Sequence, residues 1–137
     1  MTDVPHDHPI VAAYLQAIRD ADVDAMLGLF ADGAIVQSPL YGTLPATEFY
    51  PTLFADTASA KLTLLGTMRG TSSDGRALLS FLFHFDWVLP GGTAAPFDVV
   101  DVAELDDDGL ISSIRIIYDT VDVRPAFEAD TGRRSVR

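Results

Sequence analysis

The sequence predicts an α+β fold, a curved antiparallel sheet with helices on one face. Two observations predict it. Apolar residues recur with helical spacing in the first 50 residues, and most of residues 61–120 alternate between apolar and polar, as strands do. Helices followed by consecutive strands are typical of α+β proteins. With 137 residues, 48% of them hydrophobic, the chain is long enough for one domain with its own core.

The first helix is predicted to begin at Pro9, because a proline in the first turn gives up only an N–H that would have no partner there. Ile10, Tyr14 and Ile18 follow at intervals of four and form one apolar stripe. Tyr14 is therefore a phenol on a face that points into the protein.

Two shorter helices are predicted next. Asp22 suits the N-cap of a helix over residues 23–31. Pro45 opens a third helix, which Pro51 should kink or end early because proline lacks the N–H that a helix interior needs.

The remaining elements are strands separated by turn residues. A turn cluster covers residues 70–75, and the Asp-Asp-Asp-Gly run at 106–109 is a strong hairpin signal. The two ends of the chain, residues 1–8 and 126–137, are predicted to be loose tails. The predicted strands cover residues 34–38, 61–68, 77–89, 96–105 and 110–120.

Composition excludes several classes of function. The formal charge of −11 repels nucleic acid and anionic membranes, so neither is an expected partner. The chain has no cysteine, and the N-terminus lacks the features of a signal peptide, so a cytoplasmic protein is expected. No metal ion and no cofactor is expected: His6 and His8 lie on a loose tail, and residues 106–108 lack the later ligands of a calcium loop.

Strand alternation predicts which side chains face the helices. Asp101 is the one carboxylate on the predicted inner face, where burial should favour its neutral form and make it a proton donor. The opposite face mixes apolar and polar residues, as a surface used partly in a dimer does. The inner face is predicted to carry Phe81, Phe83, Phe85, Trp87, Phe97, Val99, Asp101, Ala103, Leu105, Ile114, Ile116 and Tyr118.

Several segments together resemble one known family. Tyr14 lies in the first helix, residues 22–34 have the form of a second helix and turn, and residues 42–50 end in Phe-Tyr. Asp101 stands eight residues before Gly109. On these features the chain resembles the ketosteroid isomerase and SnoaL-like group of the nuclear transport factor 2-like superfamily, over most of its length.

The resemblance implies a single SnoaL-like domain over residues 9–122. Its fold would be a cone-shaped barrel of curved mixed or antiparallel sheet, with about three N-terminal helices covering the concave face. A homodimer through the outer face of the sheet is also implied. In such a protein Tyr14, backed by Tyr50, and a protonated Asp101 would hold one ligand oxygen. A competing alignment would place Asp98 in that role.

One position departs from the isomerase pattern. The isomerases have an aspartate as general base just before a proline at the end of the first strand, and this chain has Ser38 before Pro39. A serine hydroxyl accepts protons poorly near neutral pH. The epoxide hydrolase branch fits less well, because its arginine two residues before the strand aspartate is Val99 here.

Three functions remain open at this point. The first is a cofactor-free isomerase or cyclase acting on a small hydrophobic carbonyl compound through an enolate, with Tyr14, Asp101 and Ser38 as candidate catalytic residues. Its base is missing unless water held by Ser38 or Gln37, or another acid, serves. The second is a non-catalytic binder of a small apolar ligand, and the third is a dimerisation module. The side chains expected around the ligand are Phe49, Tyr50, Phe81, Phe83, Phe85, Trp87, Val99, Ile116 and Tyr118.

Overall fold

A computed structural model describes residues 8–136 and confirms the α+β prediction. Over this range one mixed sheet of six strands is combined with four helices, three of them in the first half of the chain. Within the same range no helix is long and apolar enough to cross a bilayer. The elements are α1 (Pro9–Asp20), α2 (Val23–Leu27), β1 (Phe30–Ser38), β2 (Gly42–Pro45), α3 (Ala46–Ala55), β3 (Ser59–Thr71), β4 (Ala77–Val88), β5 (Phe97–Leu105), β6 (Ile111–Ile117) and α4 (Val123–Thr131).

The sheet has the strand order β2-β1-β6-β5-β4-β3 and is not closed into a full barrel. Its neighbours are antiparallel, except that β1 runs parallel to β6. Irregular register in β3 and near the end of β5 marks bulges, which bend strands and increase their twist. These features give the curved sheet of a cone-shaped fold, as predicted.

The inner face of the sheet follows the predicted alternation. On β4 the aromatic residues at 81, 83, 85 and 87 are buried, while the residues between them are partly exposed. On β5 the buried residues are Val99, Asp101 and Ala103. Together with buried residues of α1 and α3, these side chains form one core that lies between the sheet and the helices.

Helix α1 begins at Pro9, as predicted. Its N-cap is His8, whose Nδ1 accepts a hydrogen bond from the Ile10 N–H at 3.1 Å, so His8 is part of the helix start rather than of a loose tail. Tyr14 and Ile18 are buried on the predicted stripe. His6 and the rest of the predicted N-terminal tail lie outside the described residues.

The next two helices differ from prediction at their ends. The Asp22 side chain caps α2 by accepting from the Ala25 N–H at 3.0 Å, but the helix ends at Leu27, where a two-residue turn leads into β1 at Phe30. Helix α3 does not end at Pro51 and continues to Ala55. The proline costs one backbone hydrogen bond, and the burial of four aromatic and aliphatic side chains on α3 outweighs that loss.

The prediction of a loose tail over residues 126–137 is wrong for the part that the structure describes. Helix α4 is followed by residues 132–136, and we call the whole of residues 123–136 the C-terminal segment. Val123 and Phe127 of this segment are buried, and the Val136 N–H donates to the Leu40 carbonyl at 2.8 Å. Burial of two apolar side chains is enough to hold a short helix that the polar composition had concealed.

Candidate functional site

A small cavity lies between the concave face of the sheet and helices α1 and α3. Its volume is about 30 Å³, room for one or two water molecules. The lining is almost entirely apolar and aromatic, so the few polar atoms in it decide what it binds. The lining side chains are Tyr14, Ile18, Ser38, Tyr41, Phe49, Leu53, Phe83, Phe85, Trp87, Phe97, Val99, Asp101, Ile116 and Tyr118.

Two side chains predicted to contact the ligand, Tyr50 and Phe81, do not line this cavity. Both are fully buried, and both lie against Tyr14, which separates them from the cavity. The Phe81 ring packs edge-on against the Tyr14 ring with centroids 5.2 Å apart. The other predicted contacts, together with Tyr14, Ser38 and Asp101, are brought to one cavity.

The Tyr14 hydroxyl is paired with a second tyrosine. Its oxygen lies 2.9 Å from the hydroxyl oxygen of Tyr50, and either group is able to donate. Burial, followed by the negative charge of Asp101, raises the pKa of both phenols. Both tyrosines therefore stay protonated and keep a hydrogen to donate, which is the arrangement that the family resemblance implies.

Asp101 is the acidic group of the cavity. Its side chain is on β5 and is 1% exposed, and within residues 8–136 its Oδ1 atom has no hydrogen-bond partner. Burial raises the pKa of this carboxyl to about 7, and the nearby Tyr14 hydroxyl opposes that rise. Near neutral pH the group therefore exists in both protonated and ionised forms. An unsatisfied buried oxygen is costly unless a ligand or water completes it.

The competing candidate, Asp98, lies on the opposite face of the sheet. It is exposed, and its Oδ1 lies 2.7 Å from His84 Nδ1. Asp86 contacts the other ring nitrogen at 3.0 Å, and these two carboxylates raise the pKa of His84. Asp98 is therefore part of an exposed cluster on the outer face, and Asp101 is the carboxyl that faces the cavity.

Ser38 lies where the isomerases carry their base, and its hydroxyl is already engaged. The oxygen accepts hydrogen bonds from the backbone N–H groups of Leu40 and Tyr41, both at 3.2 Å. These contacts stabilise the turn after β1. A neutral hydroxyl that already accepts two hydrogen bonds is a poor proton acceptor, so Ser38 does not replace the missing base.

Sequence reasoning missed Tyr41, which lines the outer part of the cavity. Its hydroxyl donates to Asp56 Oδ2 at 2.7 Å, and Arg133 from the C-terminal segment forms an ion pair with the same oxygen. Burial, followed by this hydrogen bond, raises the pKa of Tyr41. No local pattern predicts this arrangement, since Asp56 and Arg133 are far apart in sequence. Ile18, Leu53 and Phe97 also line the cavity without having been predicted as ligand contacts.

Comparisons with known proteins give the family and the fold. Residues 11–114 match the profile of the family described as the SnoaL-like domain. No curated protein matches significantly. Many solved structures match, and three of them illustrate the range.

The first is SalBIII, an epoxide hydrolase/cyclase-like enzyme in pyran ring formation in the polyether salinomycin. It is 21% identical with a TM-score of 0.64, over 82% of this chain and 90% of that one. A protein of Kribbella flavida is 18% identical with a TM-score of 0.64, and the match covers 95% of this chain and 100% of that one. An uncharacterised protein of Silicibacter pomeroyi with a cystatin-like fold is 16% identical with a TM-score of 0.69, and the match covers 93% of this chain and 86% of that one. At these identities the likeness shows the fold alone.

Proposed function

This chain belongs to the SnoaL-like domain family, and we propose that it is a cofactor-free isomerase or cyclase that moves a proton on a small apolar carbonyl compound. The observation that carries the proposal is Asp101, a buried carboxyl with an unpartnered oxygen in an aromatic cavity. Fold alone does not give function, so the roles below rest on the site.

Tyr14 is the proposed donor to the substrate oxygen. Tyr50 accepts from or donates to the same hydroxyl and fixes its position. When the carbonyl becomes an enolate, negative charge collects on its oxygen, and a hydrogen bond in an apolar cavity strengthens as that charge grows. The interaction is stronger in the transition state than with the ketone, which is the requirement for catalysis.

Asp101 is the proposed proton carrier. In its ionised form it takes the proton from the carbon beside the carbonyl, the C–H electrons move into the enolate, and the protonated carboxyl then returns the proton to carbon or oxygen. A pKa of about 7 supplies both forms at neutral pH. The ketosteroid isomerases use the tyrosine and a protonated aspartate as two donors to one oxygen. If Asp101 stayed protonated in the same way, none of the side chains that line the cavity would be left to act as the base.

The test is deuterium exchange at the α-carbons of small cyclic ketones such as cyclopentanone, followed by NMR in D₂O. Asp101→Asn keeps a hydrogen-bonding group but cannot carry a proton, so exchange should fall by about 10²–10⁴-fold. Tyr14→Phe should lower it by about 10²–10³-fold. Circular dichroism controls for folding. An Asp101→Asn variant within about tenfold of the native rate would show that Asp101 is only a second donor.

A non-catalytic binder of small apolar ligands is the second candidate, and the serine in place of the base favours it. Binding of 2-naphthol, a fused-ring phenol with an absorbance that reports its ionisation, separates the two. The enzyme proposal expects a phenolate-like spectrum that is weakened by Tyr14→Phe. A simple binder would take up naphthol equally well in both proteins and across pH. A role as a dimerisation module alone expects a pocket filled by the protein's own side chains, so native protein would then bind no naphthol in either form.

We also propose that the protein is a homodimer through the outer face of the sheet. Ile117 is 51% exposed and Met68 is 47% exposed, which are high values for large apolar side chains. Ile117 lies opposite Val100 on the neighbouring strand, so the apolar surface extends across two strands. Sedimentation equilibrium should give a dimer, and Ile117→Asp should shift it towards the monomer. A native protein that sediments as a monomer at all concentrations would contradict this proposal.

A further inference from the structure

The cavity beside Asp101 is too small for the proposed substrate. Pockets that bind organic ligands usually have volumes of about 300–1,000 Å³. This cavity has about 30 Å³. A carbonyl compound therefore reaches Asp101 only if one wall of the cavity moves.

The C-terminal segment packs behind two side chains that line this cavity, although none of its own described residues lines it. Its Phe127 ring stacks on Trp87 with centroids 5.9 Å apart, and packs edge-on against Tyr41 at 5.5 Å. Displacement of Phe127 would leave one side of each ring without its neighbour. Rotation of the two rings away from the cavity then also breaks two hydrogen bonds, from Trp87 Nε1 to Thr57 Oγ1 and from the Tyr41 hydroxyl to Asp56 Oδ2.

This segment is attached mainly by polar contacts at its edges. Asp130 accepts from the Gly91 N–H at 2.9 Å and from the Thr93 N–H at 3.2 Å. Arg124 donates to the Pro39 carbonyl at 3.1 Å, and Arg133 pairs with Asp56. The two Asp130 contacts are exposed and contribute little each, whereas the Arg133–Asp56 pair involves a buried carboxylate and contributes more. A local opening breaks only these few contacts, so it costs less than global unfolding.

The other walls are held more firmly. Strands β4, β5 and β6 are bonded on both sides within the sheet, and α1 and α3 each bury several large side chains. The C-terminal segment buries two apolar side chains, Val123 and Phe127. It therefore has less apolar burial to lose than α1 or α3.

We propose that the movable wall of this site consists of the Trp87 and Tyr41 rings with the C-terminal segment behind them, and that ligands reach Asp101 when Phe127 leaves the two rings. The identity of the ligand rests on the proposed function, but the opening itself does not. The described structure is then the closed state, in which bulk water is kept from the acid and the tyrosine pair.

The chain offers a reversible way to clamp this wall. A Cβ atom added at Gly91 would lie 3.0 Å from Asp130 Cγ, where a cysteine at position 130 would carry its sulfur. In a disulfide, each Cβ lies about 3 Å from the partner sulfur, so Gly91→Cys with Asp130→Cys has suitable geometry. Because the chain has no native cysteine, the two introduced thiols have only each other as partners.

Two readouts test the clamp. The first is the association rate of 2-naphthol, measured by stopped-flow fluorescence. The second is acrylamide quenching of Trp87, which is the sole tryptophan and is 2% exposed in the closed state. Oxidation of the double variant should lower the naphthol association rate and the rate constant of Trp87 quenching by about tenfold or more, because opening is blocked. Reduction with dithiothreitol should restore both values. The reduced double variant and the two single variants are the matched controls.

Equal naphthol association in the oxidised and reduced double variant would overturn the proposal. If native protein binds no naphthol, the ligand part of the proposed function fails, and quenching alone decides: equal quenching in both redox states overturns the movable wall. Phe127→Leu gives an independent check without cysteines. It should increase quenching of Trp87, and unchanged quenching in a folded variant counts against the proposal.

Discussion

Two tyrosines that line the same cavity, Tyr14 and Tyr41, are each paired with an aspartate, and the electrostatic situations of the two pairs differ. At the inner end, Asp101 is beside Tyr14 and, among the described residues, has no cation and keeps one oxygen without a hydrogen-bond partner. At the outer end, Asp56 accepts from Tyr41 and forms an ion pair with Arg133. The residue types are the same, but only the Asp56 pair includes a cation.

The difference teaches what separates a structural carboxyl from a reactive one in this fold. A cation and a complete set of hydrogen bonds hold a carboxylate in its ionised form, where it ties two segments together. Burial without a cation makes the ionised form of a carboxyl costly and raises its pKa, and the raised pKa allows the group to exchange protons near neutral pH. The pairs predict opposite responses to the same substitutions.

Asp101→Asn should stabilise the protein at alkaline pH, and this is the largest effect expected. The folded carboxyl has a pKa raised from 3.8 to about 7, so native stability falls as pH rises from about 4 to 7 and is then level. The total loss is about 4 kcal/mol, and asparagine should recover about 2–4 kcal/mol of it at pH 8. Urea unfolding at pH 4, 6 and 8 measures this. Parallel pH profiles for native and variant would contradict the raised pKa.

Asp56→Asn should have the opposite sign. The neutral amide cannot form the ion pair with Arg133 and is a weaker acceptor for Tyr41, so the free energy of unfolding at pH 7 should fall by about 1–3 kcal/mol. Arg133→Gln is the matched control, and its effect should be smaller because the arginine side chain is half exposed. If Asp56→Asn is as stabilising as Asp101→Asn, the contrast between the pairs is wrong.

Tyr14→Phe should raise the pKa of Asp101 further. The phenol stabilises the carboxylate, so its removal favours the protonated form and should move the carboxyl pKa up by roughly 1. NMR titration of ¹³C-labelled aspartate carboxyls measures the midpoint directly. The fall in stability should extend to correspondingly higher pH. A midpoint that stays near 7 would mean that Tyr14 does not contact the carboxyl in solution.

Tyr41→Phe should have the smallest effect. Arg133 still neutralises Asp56 when the phenol is lost, so the free energy of unfolding should fall by about 0.5–1.5 kcal/mol. The free energy of unfolding of Tyr41→Phe should depend on pH as that of the native protein does, in contrast to Tyr14→Phe. Thermal and urea unfolding between pH 5 and 8 give both quantities. A loss larger than that of Asp56→Asn would show that the phenol, and not the cation, holds Asp56 in place.

Much of this fold could be predicted because its signals are local. The alternation of β4 assigns Phe83 and Trp87 to the inner face, and helical spacing places Tyr14 on the buried side of α1. The same alternation places Asp101 in the cavity and Asp98 outside it. These patterns act over a few residues, so they can be read without knowledge of the tertiary structure.

The outer end of the cavity could not be predicted, because it is built from distant parts of the chain. The pairing of Asp56 with Arg133 depends on where the C-terminal segment docks, and nothing local to either residue indicates it. Helix α4 did leave a weak signal: Val123 and Phe127 are four residues apart, and Gly132 ends the helix with a positive φ of 69°. Two apolar residues in a polar stretch are too few to distinguish a docked helix from a free one.

The parallel pairing of β1 with β6 sets the order in which this protein is able to assemble during synthesis. Strands β4, β5 and β6 each pair with the strand made just before, and β1 pairs with β2, but the second edge of β1 has to wait for β6, where Val36 meets Ile114. Contacts between such distant residues form slowly. Until β6 leaves the ribosome, the row of aromatic side chains on β4 lacks part of its cover. Nascent chains that stop short of residue 111 should therefore bind chaperones and aggregate, while full-length chains do not.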